Sequence, residues 1–232
     1  MTTEYRALVA KVEAFTQATG ARRKDDMACS AGCSSCCHAW LTVSGVEASE
    51  LREALRALSV DERAAIRARG VAELAREAAA SEPARCAMLD ASGRCAVYVA
   101  RPLVCRTQGH ALRYPEGVIA PEAVTRKTAN GDVTWCPLNY HAAEPNREDV
   151  LDAERVDQIL AVVAERHAVS HGSSRHERLA LSALAAESDV LHDNPSLTLS
   201  GAREDSSLAR RSARPHAARA DESEPTESKR DD

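Results

Sequence analysis

Aromatic side chains are scarce in this sequence: one Phe, two Trp and four Tyr among 232 residues. Much of the 44% hydrophobic fraction is alanine. Burial contributes roughly 25 cal/mol per Å² of apolar surface, so such a core gains less per residue than one built on Leu, Ile and Phe. A bound metal would make up the shortfall. The chain also has no basic stripe interleaved with aromatics, and its net charge of -5 is modest, which argues against a nucleic-acid partner. No long apolar run is present. Residues 1–20 mix apolar positions with Glu4, Arg6, Lys11 and Glu13, a pattern that fits neither a signal peptide nor a membrane span. The expected compartment is the cytoplasm. No P-loop, no GxGxxG fingerprint and no fixed-period repeat is visible. Outside residues 29–136 there is no cysteine.

Inside that window there are eight. Cys29, Cys33, Cys36 and Cys37 fall within nine residues, and Cys86, Cys95, Cys105 and Cys136 follow. An even count allows four disulfides, but thiols stay reduced in the cytosol, where a cysteine cluster is better explained by metal or catalysis. Thiolates are soft ligands suited to zinc and to iron–sulfur clusters. Eight divide into two four-ligand sites or one multinuclear site. Cys33-x2-Cys36 lets a tight turn aim two sulfurs at one ion, and Cys29 lies one helical turn before Cys33. Adjacent Cys36 and Cys37 diverge on either a helix or a strand. Either they serve two neighbouring metals, or one ligates and the other packs as a small apolar side chain. Arg94, Arg101, Arg106 and Arg113 are candidate donors to the sulfurs, with solvated surface as the bland reading. His38, His110 and His141 are possible replacement ligands, each more simply an ordinary polar residue.

The flanks read as helix. Leu8, Val12 and Phe15 recur at helical steps over residues 4–18, and Gly20 with the charged run 22–26 ends the pattern. Capping boxes at Ser44-x2-Glu47, Ser59-x2-Glu62 and Ser174-x2-Glu177 open helices to about Leu58, Ala80 and Ala186. The first two would bury Val46, Leu51, Leu55 and Leu58, and Ile66, Val71 and Leu74. Gly70 weakens the second, and Glu82-Pro83 stops it. Asn146 caps a helix to about His167 with Val150, Leu151, Val156, Ile159, Leu160 and Val163 inward. Residues 84–140 are loop-rich, with short strands expected at Ala96–Val99 and Gly117–Ala120 and turns at Ser92-Gly93, Tyr114-Pro115 and Asn130-Gly131. Beyond Gly201 the composition is that of a disordered tail. The expected fold is therefore mainly α: a small helical domain with a loop-rich, metal-stapled cysteine region and two short strands. The divisions are an N-terminal helix (1–26), a cysteine-cluster metal-binding domain (27–140), C-terminal helices packing on it (141–200) and the tail (201–232).

Cys29-Ser-Ala-Gly-Cys33-Ser-Ser-Cys36-Cys37 with Leu41-Thr-Val43 and Glu47, then Cys86-Ala-Met-Leu89, Gly93-Arg-Cys95-Ala-Val-Tyr98, Arg101-Pro-Leu-Val-Cys105-Arg106 and Cys136-Pro-Leu138, resembles the YkgJ-type cysteine-cluster proteins, the CxxCxxCC zinc- or iron-chelating family. The resemblance spans residues 28–138 and implies a metal-chelating domain. A similar cluster in flagellin lysine methylases keeps redox or transferase chemistry open. Three residues between Cys29 and Cys33 depart from the usual motif and leave the metal open. Cys29-x3-Cys33-x2-Cys36 is also the spacing of radical SAM enzymes, which hold a 4Fe-4S cluster, but it leads into two helices without a series of strand–helix units. A thioredoxin-like role lacks its βαβ setting, and the C-x2-C-x2-C-x3-C-P ferredoxin run is absent. Two classes survive: a zinc or iron module, and an iron–sulfur protein that transfers electrons or assists an enzyme reaction.

Overall fold

The computed structural model describes residues 3–30, 32–79, 84–115, 124–128, 131–174 and 176–187. The expected stop at Glu82-Pro83, the strand at Gly117–Ala120 and the tail beyond Gly201 lie outside them. The chain opens with α1 (Thr3–Arg22). This helix passes through Gly20, because Arg22 ties its last turn to Thr19 Oγ1 at 3.1 Å and to the Glu148 carbonyl at 2.8 Å. After β1 (Thr42–Ser44), the Glu47 carboxylate accepts both the Ser44 N–H at 2.9 Å and the Ser44 hydroxyl at 2.7 Å. That capping box opens α2 (Gly45–Arg56), and the equivalent Ser59–Glu62 box opens α3 (Val60–Ala78). Each uses side-chain atoms to satisfy groups the helix end leaves unpaired.

The middle differs from expectation. Tyr98–Ala100 is a 3-10 turn rather than part of a strand, and it leads into the short α4 (Leu103–Thr107). Then come β2 (Ala111–Tyr114), β3 (Val124–Thr128) and β4 (Gly131–Trp135). Asn146 caps only a 3-10 turn, Arg147–Asp149, followed by β5 (Val150–Asp152). Asp152 takes over as the cap of α5 (Ala153–His171), accepting from Arg155 N at 3.1 Å. Ser174, His176 and Glu177 are not helical. The chain instead forms β6 (Arg178–Ala180), which pairs antiparallel with β1, and α6 (Leu181–Ala186) follows.

The second sheet has the order β3-β4-β2-β5, with β2 parallel to β5 and the other pairs antiparallel. At the start of β4, Gly131 has φ +111°, and a Cβ there would lie 2.2 Å from the Tyr114 carbonyl oxygen. Glycine is required on both counts.

Three apolar clusters hold the described residues. Val43, Ala48, Leu51, Leu55, Ile66, Met88 and Leu184 form one, with Cys86 and Cys95 packed against it. Tyr5, Leu8, Val12, Val46, Leu103, Leu160 and Val163 form another. Ala111, Val133, Trp135 and Tyr140 form a third. Two expected inner positions face solvent: Val71 is 52% exposed and Ile159 43%. The buried line of α3 runs through Ile66, Gly70 and Glu73 because α6 packs there. A Cβ on Gly70 would come within 2.4 Å of the Ala186 nitrogen, so the glycine expected to weaken this helix is what lets α6 approach.

Candidate metal centre

Four separate segments carry the cysteines, and backbone hydrogen bonds draw them together. Met27 and Asn139 form an isolated β-bridge. The Ala28 N–H donates to Asn139 Oδ1 at 2.8 Å, and Asn139 Nδ2 donates to Cys29 Sγ at 3.2 Å and to the Gly109 carbonyl at 2.7 Å. The Asn139 N–H closes on the Cys136 carbonyl at 3.0 Å. One buried amide thus joins the segments of Cys29, Gly109 and Cys136. Asp26 reinforces the junction by accepting the Tyr140 N–H on its backbone oxygen at 2.8 Å and the Ala142 N–H on Oδ1 at 2.7 Å.

From Cys29 the chain turns through Gly32 (φ +94°) into a 3-10 turn, Ser35–Cys37. The Cys33 N–H donates to the Ser30 carbonyl at 3.0 Å and the Cys37 N–H to Ser34 at 2.8 Å. On the far side, the Cys37 carbonyl accepts from the Cys86 N–H at 2.8 Å, and His38 Nδ1 lies 3.1 Å from the Ala84 oxygen. Cys86 and Cys95 flank a tight loop in which the Asp90 carboxylate collects the Ser92 and Arg94 N–H groups at 2.8 and 2.9 Å. Ala96 N bonds the Met88 carbonyl at 2.9 Å, and Leu89 bridges Cys95. Cys105 sits in α4, whose first N–H, on Leu103, reaches Glu47 Oε1 at 3.0 Å. The buried Glu47 therefore caps α2 and anchors the Cys105 helix at once.

All eight cysteines are free thiols. Burial pushes the Cys86 thiol up to about 11 and Cys105 up to about 12, and neighbouring thiols push the same way: Cys95 on Cys86, and Cys86, Cys95 and Cys36 on Cys105. Burial also raises Cys29, opposed by the Asn139 hydrogen bond and helped by Cys33, Cys136 and Cys36. Hydrogen bonding between the adjacent thiols pulls the pKa of Cys36 down and pushes that of Cys37 up, with Arg101 and His38 also lowering Cys36.

Residues 28–137 match a family of cysteine-rich domains described as "CxxCxxCC: putative zinc- or iron-chelating domain". This segment is a CxxCxxCC domain. No curated protein and no solved structure matches the chain.

Of the four arginines proposed to neighbour the sulfurs of the CxxCxxCC domain, Arg101 does so: it favours the thiolate at Cys36, Cys95 and Cys105 and stacks 3.5 Å over the Tyr98 ring. Arg106 is committed elsewhere, donating to the Arg101 and Val99 carbonyls at 2.7 and 2.6 Å and pairing with Glu13. Arg113 pairs with Asp152. Arg94 contributes its N–H to the Asp90 loop. His38 lies beside Cys36, whereas His141 is an exposed partner of Asp26 at 3.4 Å, and Nδ1 of His110 is buried with no hydrogen-bond partner among the described residues. Asn139, Gly109 and Asp26 were not legible as parts of the site. Gly109, between Cys105 and the first strand of the second sheet, carried the one available signal, a lone glycine at a segment boundary.

Among the described residues, no three Cys, His, Asp or Glu side chains already stand at coordinating positions around one point. The donor set nonetheless suits zinc or iron in its chemistry, all sulfur and all reduced. The local structure fits as well. Cys29 Sγ already accepts an amide N–H, the contact that orients a metal-bound thiolate. A Cβ on Gly109 would lie 2.7 Å from that sulfur, so the glycine, at φ +90°, keeps the space beside Cys29 open.

Proposed function

We propose that this chain is a metal-binding protein whose CxxCxxCC domain chelates zinc or iron through Cys29, Cys33, Cys36, Cys37, Cys86, Cys95, Cys105 and Cys136. The observation that carries the reading is the network that gathers four sequence-distant, cysteine-bearing segments while leaving every thiol free. Metal bound there supplies cross-links between segments with little apolar surface of their own, and its binding releases the thiol protons. The reduced state this requires fits a cytoplasmic protein. Two clefts, of about 430 Å³ beside α5 and about 130 Å³ between α1 and the segment of Val99, Ala100 and Arg106, are lined by no cysteine. No helix among the described residues is long and apolar enough to cross a membrane.

The exposure of Cys29, Cys33 and Cys36 favours a second reading, an iron–sulfur centre, such as a 4Fe-4S cluster, that exchanges electrons or assists a transferase reaction. Purification without oxygen followed by an absorption spectrum and zinc, iron and acid-labile sulfide analysis separates the two. A colourless protein with zinc supports the structural module. A brown protein with iron and labile sulfide supports the cluster, and folded, metal-free protein defeats both.

A further inference from the structure

We infer that the smaller cleft, between α1 and the segment of Val99, Ala100 and Arg106, binds a small alkylammonium ion whose charged end meets the buried carboxylate of Glu50. No cysteine lines it, so this site stands apart from the metal-binding reading above.

Helical spacing builds one wall. Tyr5, Val9 and Glu13 recur every four residues on α1, so they stand in line along one face, with Ala10 beside them. Val99 and Ala100 come from the 3-10 turn, and Glu50 of α2 and Arg106 of α4 complete the lining. The space is about 130 Å³. Water takes about 30 Å³ in the liquid, so the cleft holds a few waters or the end of a short alkyl chain. Most of the lining is hydrocarbon, and Tyr5 adds an aromatic ring, a side-chain type that attracts ammonium groups.

The charges in this lining are unequally provided for. Arg106 is engaged: it pairs with Glu13 and donates to the Arg101 and Val99 carbonyls at 2.7 and 2.6 Å. Glu50 is only 3% exposed, and its Oε2 has no hydrogen-bond partner among the described residues. A carboxylate taken out of water without a partner is costly. Accordingly, burial pushes the pKa of Glu50 up, Glu53 adds to the shift and the exposed Arg6 opposes it. A ligand that carries a positive charge on a short hydrocarbon stem supplies what this lining lacks. A hard metal ion would need several oxygen ligands, and the carboxylates here are Glu50 and a Glu13 already held by Arg106. An anion would face the unpartnered Glu50.

The test is an NMR titration of the full chain, isotopically labelled and purified without oxygen, with n-butylammonium, 1-butanol and butyrate at pH 7. Saturable shifts of the Val9, Ala10 and Ala100 N–H signals are expected with n-butylammonium alone. Glu50→Gln keeps the shape and removes the charge, and should weaken binding about tenfold or more. If that variant loses its folded spectrum, Ala10→Phe obstructs the cleft from an exposed position of α1 and should abolish the shifts. The site is overturned by a wild type without saturable shifts or by equal binding of 1-butanol or butyrate. Full affinity in folded Glu50→Gln or Ala10→Phe overturns it as well. None of these outcomes bears on metal held by the cysteines, so the two readings fail separately.

Discussion

The cluster that unites α2, α3 and α6 and the cysteine region packed against it are held by different forces. In the first, Leu51, Leu55, Ile66 and Leu184 are fully buried, and stability comes from apolar area. In the second, the segments around Cys29, Cys95, Cys105 and Cys136 are held by single side chains with many partners: Asn139, Asp26, Asp90 and Glu47. One region is cohesive by itself. The other is a set of loops brought into register, whose remaining cohesion would come from metal.

That contrast yields expectations of decreasing size. Chelation should have the largest effect, because structural zinc contributes on the order of 10 kcal/mol or more to small thiolate sites. Hydrogen exchange should show the N–H groups of Cys37, Cys86 and Asn139 losing protection after chelation while α3 and α6 keep theirs; uniform loss across both regions would erase the contrast. Leu55→Ala should cost about 2–5 kcal/mol in a urea titration, with metal per folded chain unchanged. Asn139→Ala should do the reverse. Its effect on global stability should be smaller, about 1–3 kcal/mol for the stranded partners, with metal affinity about 10–100-fold weaker in a competition titration. Unchanged affinity would show that the amide on Cys29 supports only the fold.

The smallest effect concerns pH. Asp149 is fully buried and pairs with Arg22 at 3.3 Å and Arg23 at 2.6 Å. Burial alone would raise its pKa, but hydrogen bonds from Arg23, the Asn146 N–H and Arg22, together with the Arg23 charge, hold it below the ordinary carboxylate value. A depressed folded-state pKa gives stability that is present above the unfolded value, near about 4, and is lost as pH falls through the folded one. The stability gap between wild type and Asp149→Asn should therefore be full at pH 6 and close below about pH 4. A gap that persists at low pH would assign the effect to packing.

The same contrast explains what was legible in the sequence. Helices α2 and α3 were readable because their capping boxes are local: the two side chains that define each end are three residues apart. The cysteine positions were readable because no other residue type concentrates that way. The second sheet was not. β2 and β5 pair across a long separation, and β3, Val-Thr-Arg-Lys-Thr, lacks clean apolar alternation. Val150 and Leu151 continued the period of α5 and so read as helix, although Ala111 and Leu112 pair with them as a strand. The Ser174-x2-Glu177 box failed because the β1 edge pairs with residues 178–180 before a helix can start. Asn139 stayed hidden because three of its four hydrogen-bond partners, Ala28, Cys29 and Gly109, come from two distant segments, and nothing local marks it.

The most direct measurement is a count of metal and reactive thiols on the same anaerobically purified, folded chain. Zinc or iron should be present, and the eight thiols should resist a thiol reagent until chelator or denaturant is added. A folded, metal-free chain whose eight cysteines react at once would contradict the account.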